Sequence, residues 1–380
     1  MTSRERLTLT LQGKKADRVP VSPFLWYNNM YEMFGYTPEI DTNYAPPDFD
    51  IVSKWVEYCD VFGFDVMFAG GFLFDRFVPG TAANWDVTIT KDGDKDSQRR
   101  TTTVRTPAGP LSQVMNFKRS EPHLIVLAVE KYIIETREDF ETFRTYAPAA
   151  EYVDCGVIAR ARDVVGGKGL VNLATFGAFN TLNMFRRLES MMMDPMIDEG
   201  FYREMMSWVT AWNIELLRKV VHAGADSIEL GGNLVTSGAG PDFFKNFDLE
   251  YENALGRQIH EDGAFVVYHN CGDAQKIMHL YNDLEIDCWG YLTGQPFGDV
   301  VLEDALRTIR PDMALRGNVD QVEFLRKATP GEVRERVREL LEKVKPRGNW
   351  ILSTSDFFFD GNSYDNITAF AQAGRDFGRY

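Results

Sequence analysis

From residue 137 onward the chain alternates short apolar runs with amphipathic stretches of helical period, and no other feature of the sequence constrains the fold as strongly. The runs "GLVNLATFG", "ADSIELGG", "AFVVYHNCGD", "IDCWGYL", "DMALRGNVD" and "GNWILSTSDF" read as strands buried on both faces. Between them lie helical segments such as "DEGFYREMMSWVTAWNIELLRKVVHAG", "DFFKNFDLEYENALGRQIHEDG", "AQKIMHLYNDL" and "PGEVRERVRELLEKVKP". Strands joined by helices run parallel, and this many units predicts a closed α/β architecture, the (β/α)8 TIM barrel. An open doubly wound sheet would need a Gly-rich phosphate loop after its first strand, and the sequence has none.

The earlier part fits the same barrel. "TSRERLTLTLQGKKADRVPVSPFL" predicts an N-terminal capped helix from Ser3 and then a strand from Val19 to Leu25. Pro20 and Pro23 make that strand an edge or a barrel entrance. A further strand is expected from Asp65 to Ala69. Between residues 84 and 119, Thr/Val alternation broken by Asp-Gly and Ala-Gly predicts a β-hairpin insertion, so residues 1–380 form a single domain.

A net charge of −15 and a pI near 4.9 argue against a nucleic-acid or anionic-membrane surface. No stretch reaches the length of a membrane span. The four cysteines, Cys59, Cys155, Cys271 and Cys288, show no framework spacing, which predicts reduced thiols in a cytoplasmic protein. Small molecules and other proteins are the expected partners; a homodimer is left open.

In such a barrel the C-terminal strand ends share one mouth. His269 and Cys271, at i and i+2 of an extended run, point to one face and suit a zinc ion, although a buried histidine beside a buried cysteine is the plain alternative. Candidates for a third ligand are Glu229, Asp356 and Cys288. Each has an ordinary reading: an ion pair or a substrate contact for Glu229, a helix cap or an aspartate orienting His269 for Asp356, and core packing for Cys288. Trp26, Tyr27, Asn28 and Asn29 with Phe72 and Phe74 suit a pocket wall, and Asn318 lies at a later strand end.

The segments "RERLTLTLQGKKADRVPV", "TTTVRTPAGPLSQ", "GADSIELGG", "YHNCGD", "MALRGNVDQVEFLRKATPGEVRERVRELLE" and "GNWILSTSDFFFDGNSYDNITAF", in this order, resemble the uroporphyrinogen decarboxylase superfamily and, within it, the cobalamin-dependent methyltransferase branch. The decarboxylases carry an arginine-rich stretch after the first strand; here that stretch is "FLWYNNMYEMF", without arginine, which counts against decarboxylation. The methyltransferase branch implies zinc on a His-x-Cys pair and a later cysteine in a motif resembling I-L-S-x-G-C. This chain keeps His269 and Cys271 but has Asp356 at the last position. The substitution leaves open Glu229 as third ligand, or loss of the metal.

The resemblance implies methyl transfer between a small molecule and the cobalt of a corrinoid. No D-x-H-x-x-G signature is present, so the corrinoid is expected on a separate partner protein. O-demethylation of a methoxylated aromatic compound is the favoured reaction, with Glu229, His269 and Cys271 as its catalytic residues. Methylation of a thiol or of tetrahydrofolate is the alternative, and a decarboxylase of the uroporphyrinogen type a minor one.

Overall fold

The structure is a computed structural model and describes residues 1–40, 46, 48–70, 82–148 and 154–380. Seven parallel strands form one curled sheet in chain order: β1 (Val66–Phe68), β6 (Gly169–Phe176), β7 (Ser227–Gly231), β8 (Phe265–His269), β9 (Cys288–Leu292), β10 (Ala314–Val319) and β11 (Trp350–Thr354). Helices cross between successive strands, the longest being Glu199–His222. The parallel strands are almost wholly buried, which explains their unbroken apolar runs.

The seam between β1 and β11 is filled by the proline-bearing segment from Val19. Val21 bridges Leu352 in parallel, Ser22 N–H donates to Leu352 O, and Leu352 N–H donates to Pro20 O. On the other side Asp65 N–H donates to Val21 O. Prolines are tolerated because this segment needs only a few of its amides in the ladder. It completes the (β/α)8 TIM barrel as an eighth, irregular strand. The last helix, Tyr364–Phe377, seats against the seam so closely that a Cβ at Gly374 would lie 2.6 Å from a Val21 methyl.

The barrel's lower end is stoppered by the helix Ser3–Leu11, whose start is held by a Thr2/Glu5 capping box. Leu7 and Leu11 pack on Met67, Leu170, Val267, Cys288, Ala314 and Ile351, one residue from each of six strands. Burying each leucine contributes roughly 1.5–3 kcal/mol. The helix is tied down by Arg6, which with Arg18 grips the fully buried carboxylate of Asp65 at 2.6 and 2.9 Å. Cys288 belongs to this plug. As the first residue of β9 it lies at the end opposite the mouth, and burial pushes its thiol up to about 12. It is therefore core and no candidate ligand.

Two elements differ from the sequence expectation. The antiparallel insertion is a four-stranded sheet, β2 (Asp86–Gly93), β3 (Ser97–Thr106), β4 (Gly109–Glu121) and β5 (Leu124–Lys131), and so extends to Lys131 rather than ending near 119. β4 runs thirteen residues and keeps a partner along its far half. The stretch "AQKIMHLYNDL" forms only a short 3-10 helix, Met278–Asp283. Its leading amides, Ala274 and Gln275, donate to Asp299 instead of starting a regular helix. No helix among the described residues is long and apolar enough to cross a membrane.

Candidate active site

The upper mouth holds a cavity of about 200 Å3 walled by Phe24, Trp26, Phe176 and Phe357, with Glu229, His269, Cys271 and Asp356 among its lining. His269 closes β8, and Cys271 follows two residues later in the loop beyond it. Cys271 lies near both His269 and Asp356, which follows β11. His269 is fixed by rings as well as by polar partners: Phe24 meets it edge-on at 5.1 Å and Tyr291 at 4.9 Å.

Beneath the histidine lies a buried polar chain that starts at the barrel seam. The carbonyls of Ser22 and Pro23 accept from Arg316, whose Nη1 reaches Glu229 Oε2 at 3.2 Å. Asn172 Nδ2 donates to the same oxygen at 2.8 Å and is itself oriented by Ser227, whose hydroxyl donates to its Oδ1. The Tyr291 hydroxyl lies 3.2 and 3.3 Å from the two Glu229 oxygens, while the Arg316 guanidinium stacks 4.5 Å over the tyrosine ring. His269 Nδ1–H donates to Glu229 Oε1 at 3.0 Å.

Glu229 and Arg316 are each 1% exposed. Burial works against a charge on Glu229, but the His269 hydrogen bond, the Arg316 and His269 charges and Asn172 outweigh it and hold the carboxyl below its usual range. For His269, burial favours the neutral ring, yet Cys271 and Glu229 carry it well above its usual value. Asp356, unlike Glu229, moves up. Burial raises it, offset only in part by His269, the Phe357 amide and Cys271.

A zinc ion, implied by the sequence resemblance, asks for nitrogen, sulfur and oxygen donors that converge. His269, Cys271 and Asp356 supply those types and line one cavity, and the bond from Nδ1 to Glu229 leaves Nε2 as the ring nitrogen for a ligand role. In donor chemistry the three fit. Among the described residues, however, no three His, Cys, Asp or Glu side chains are grouped as a metal cage. Glu229 does not join them: both its oxygens are already engaged, so its place is to orient His269.

The expected aromatic and amide wall is corrected. Only Trp26 of that run faces the cavity. Tyr27, Asn28 and Asn29 are buried in the helix Tyr27–Met33, and both asparagine amides donate to Phe358 O, stapling that helix to the loop after β11. Asn318 lines a neighbouring cavity instead, and Phe72 and Phe74 lie outside the described residues. Sequence reasoning gave no role to Asn172, Tyr291 or Arg316. The available signal was a polar or charged residue in the middle of an apolar strand, as in "LVNLA" and "ALRGN".

The comparisons with known proteins agree with this architecture. A solved methyltransferase from Methanosarcina mazei superposes with a TM-score of 0.70 at 16% identity, covering 99% of each chain. A B12-independent methionine synthase from Shewanella sp. W3-18-1, in complex with selenomethionine, gives 0.54 at 13% identity over 95% of this chain and 97% of its own. At such identities the likeness is one of fold. No curated protein matches the sequence. A family model, uroporphyrinogen decarboxylase (URO-D), matches residues 103–377, from the insertion through the last helix, and the chain therefore belongs to the uroporphyrinogen decarboxylase family.

Proposed function

We propose that the chain is a methyltransferase that moves a methyl group between a small molecule and the cobalt of a separate corrinoid protein, with O-demethylation of a methoxylated aromatic compound as the favoured reaction. The observation that carries this reading is the locked histidine: Nδ1 is held by a buried, charge-balanced glutamate, and Nε2 is left beside Cys271 and Asp356 in an aromatic-walled cavity. His269, Cys271 and Asp356 would hold zinc there, and zinc would supply Lewis-acid polarisation of the ether oxygen.

The chain's own groups do the rest. Phe24, Trp26, Phe176 and Phe357 accept a flat apolar ring and exclude water from it. Glu229 retains the Nδ1 proton and fixes the ring plane, and Arg316 keeps that carboxylate charged. Family membership alone would equally suit decarboxylation. Among the described residues, however, this cavity is lined by no lysine or arginine to receive a substrate with many carboxylates, and Arg316 is spent on Glu229.

The test is elemental analysis of the wild type beside His269→Ala, Cys271→Ala and Asp356→Ala, followed by a methoxyarene assay with a reduced corrinoid protein. Stoichiometric zinc that all three substitutions remove, together with methyl transfer from the methoxyarene, supports the reading. Metal-free protein that methylates tetrahydrofolate, or metal-bearing protein that methylates only thiols, would overturn its favoured form.

A further inference from the structure

Behind the wall formed by Cys271 and Asp356 lies a second cavity of about 420 Å3, and its lining is of a different kind. Gln295, Asn318, Asp320, Gln321 and Arg336 make it polar where the first is aromatic. Two of these side chains carry full charges that nothing among the described residues neutralises. The helix Pro330–Val344 presents arginines at 334, 336 and 338. Arg334 pairs with Asp376 at 2.8 Å, and Arg338 pairs with Glu335 and Glu342. Arg336, the one that lines the cavity, makes no ion pair among the described residues; its guanidinium lies 4.7 Å over the Phe324 ring. Stacking of this kind fixes the fork of N–H donors without using them up.

Asp320, directly after β10, completes the pattern. Its Oδ1 accepts from the amides of Val322 and Glu323 at 2.8 and 3.1 Å, which fixes the carboxylate, and its Oδ2 has no hydrogen-bond or ion-pair partner among the described residues. Asp320 and Arg336 do not pair with each other, although they line one cavity in a protein whose other charges are widely paired. A lone anion entering here would meet Asp320 and Asp356, and a lone cation would meet Arg336. Only a molecule bearing both signs satisfies both ends.

We propose that this second cavity binds a small zwitterion of the amino-acid or betaine class, its carboxylate on Arg336, its ammonium facing Asp320, and its remaining chain directed toward Cys271 and Asp356. The inference goes beyond methyl transfer from a methoxyarene: it concerns binding, and it stands whichever group is transferred.

The full-length protein is titrated calorimetrically with the standard α-amino acids and glycine betaine, with hexanoate and pentylamine as single-charge controls. At least one zwitterion is expected to bind, and both controls to bind far more weakly. Arg336→Met and Asp320→Asn each lower that affinity roughly tenfold or more, the value of one charged hydrogen bond. Each is to keep the wild-type unfolding temperature without ligand, since Arg336 is exposed and Asn at 320 retains the oxygen that caps Val322 and Glu323. No zwitterion binding, binding of hexanoate as tight as that of any zwitterion, or affinities unchanged in both variants would overturn the proposal. Methoxyarene turnover measured on the same samples separates this outcome from failure of the methyl-transfer reading.

Discussion

Two glutamates in this barrel are almost equally buried, Glu229 at 1% and Glu252 at 3% exposure, and they have opposite fates. Glu229, on β7, is surrounded by Arg316, Asn172, Tyr291 and His269, and stays charged. Glu252, on the helix Leu249–Glu261, faces Asp248 and the fully buried Tyr268, and none of these carboxylate or hydroxyl oxygens has a close hydrogen-bond partner among the described residues. Burial and the Asp248 charge push Glu252 well up, against a weaker pull from the amides of Ala178 and Phe179. Burial lifts Asp248 to about 7. Burial alone thus says little about a carboxylate; its donors decide whether it stores a charge or a proton.

The sharpest way to break the comparison is to strip the donors from Glu229. Arg316→Met would leave a buried carboxylate without its counter-charge and is expected to destabilise the fold by about 3–5 kcal/mol. Equilibrium unfolding in urea checks this, and a loss well under 1 kcal/mol would mean that Glu229 is not held charged. Glu229→Gln keeps an oxygen for the His269 Nδ1 proton but removes the charge that faces it, and metal affinity or turnover should fall about 10–100-fold. A zinc titration of both proteins decides it, and wild-type affinity in the variant would remove the orienting role.

The proton-storing pair makes the opposite prediction. A raised carboxyl gives the folded state more bound protons than the unfolded state, so stability falls as pH rises from about 4, the unfolded value, through about 7. Asp248→Asn should flatten that slope and stabilise the protein by about 1–3 kcal/mol at pH 8, with little effect near pH 4. Unfolding temperatures measured across this range test the sign. The smallest effect is expected from Gly177→Ala, whose methyl would meet the Glu252 carboxylate directly. Overpacking there should cost about 1 kcal/mol in the wild type. In a Glu252→Ala background, which clears the space, the cost should fall, and an equal cost in both would show that Glu252 is not the obstacle.

The barrel was legible because strands buried on both faces leave an unmistakable pattern, and "FVVYH" or "WILST" reads as little else. The site was legible only in part. His269 and Cys271 line one cavity as their i, i+2 spacing suggested, although only His269 lies in the strand and Cys271 in the loop beyond it. Glu229 was found, but its work was not, because that depends on Asn172, Tyr291 and Arg316, brought to it from three other strands. The run from Tyr27 to Asn29 misled for the same reason. Amides near a strand end suit a pocket, yet what they reach is Phe358 O, more than three hundred residues later in the chain.

The seam between residues 20–22 and β11 also governs the order in which this protein can assemble. Val21 leaves the ribosome more than three hundred residues before Leu352, so the earlier segment waits for its partner while the strands between them are made. Until then the side of this segment that takes up Leu352 is unpaired. Arg316 meanwhile has no Ser22 or Pro23 carbonyl to anchor it. Shutting the barrel and anchoring the Arg316 charge beneath His269 therefore await the same event, so a nascent chain that stalls short of β11 would have neither.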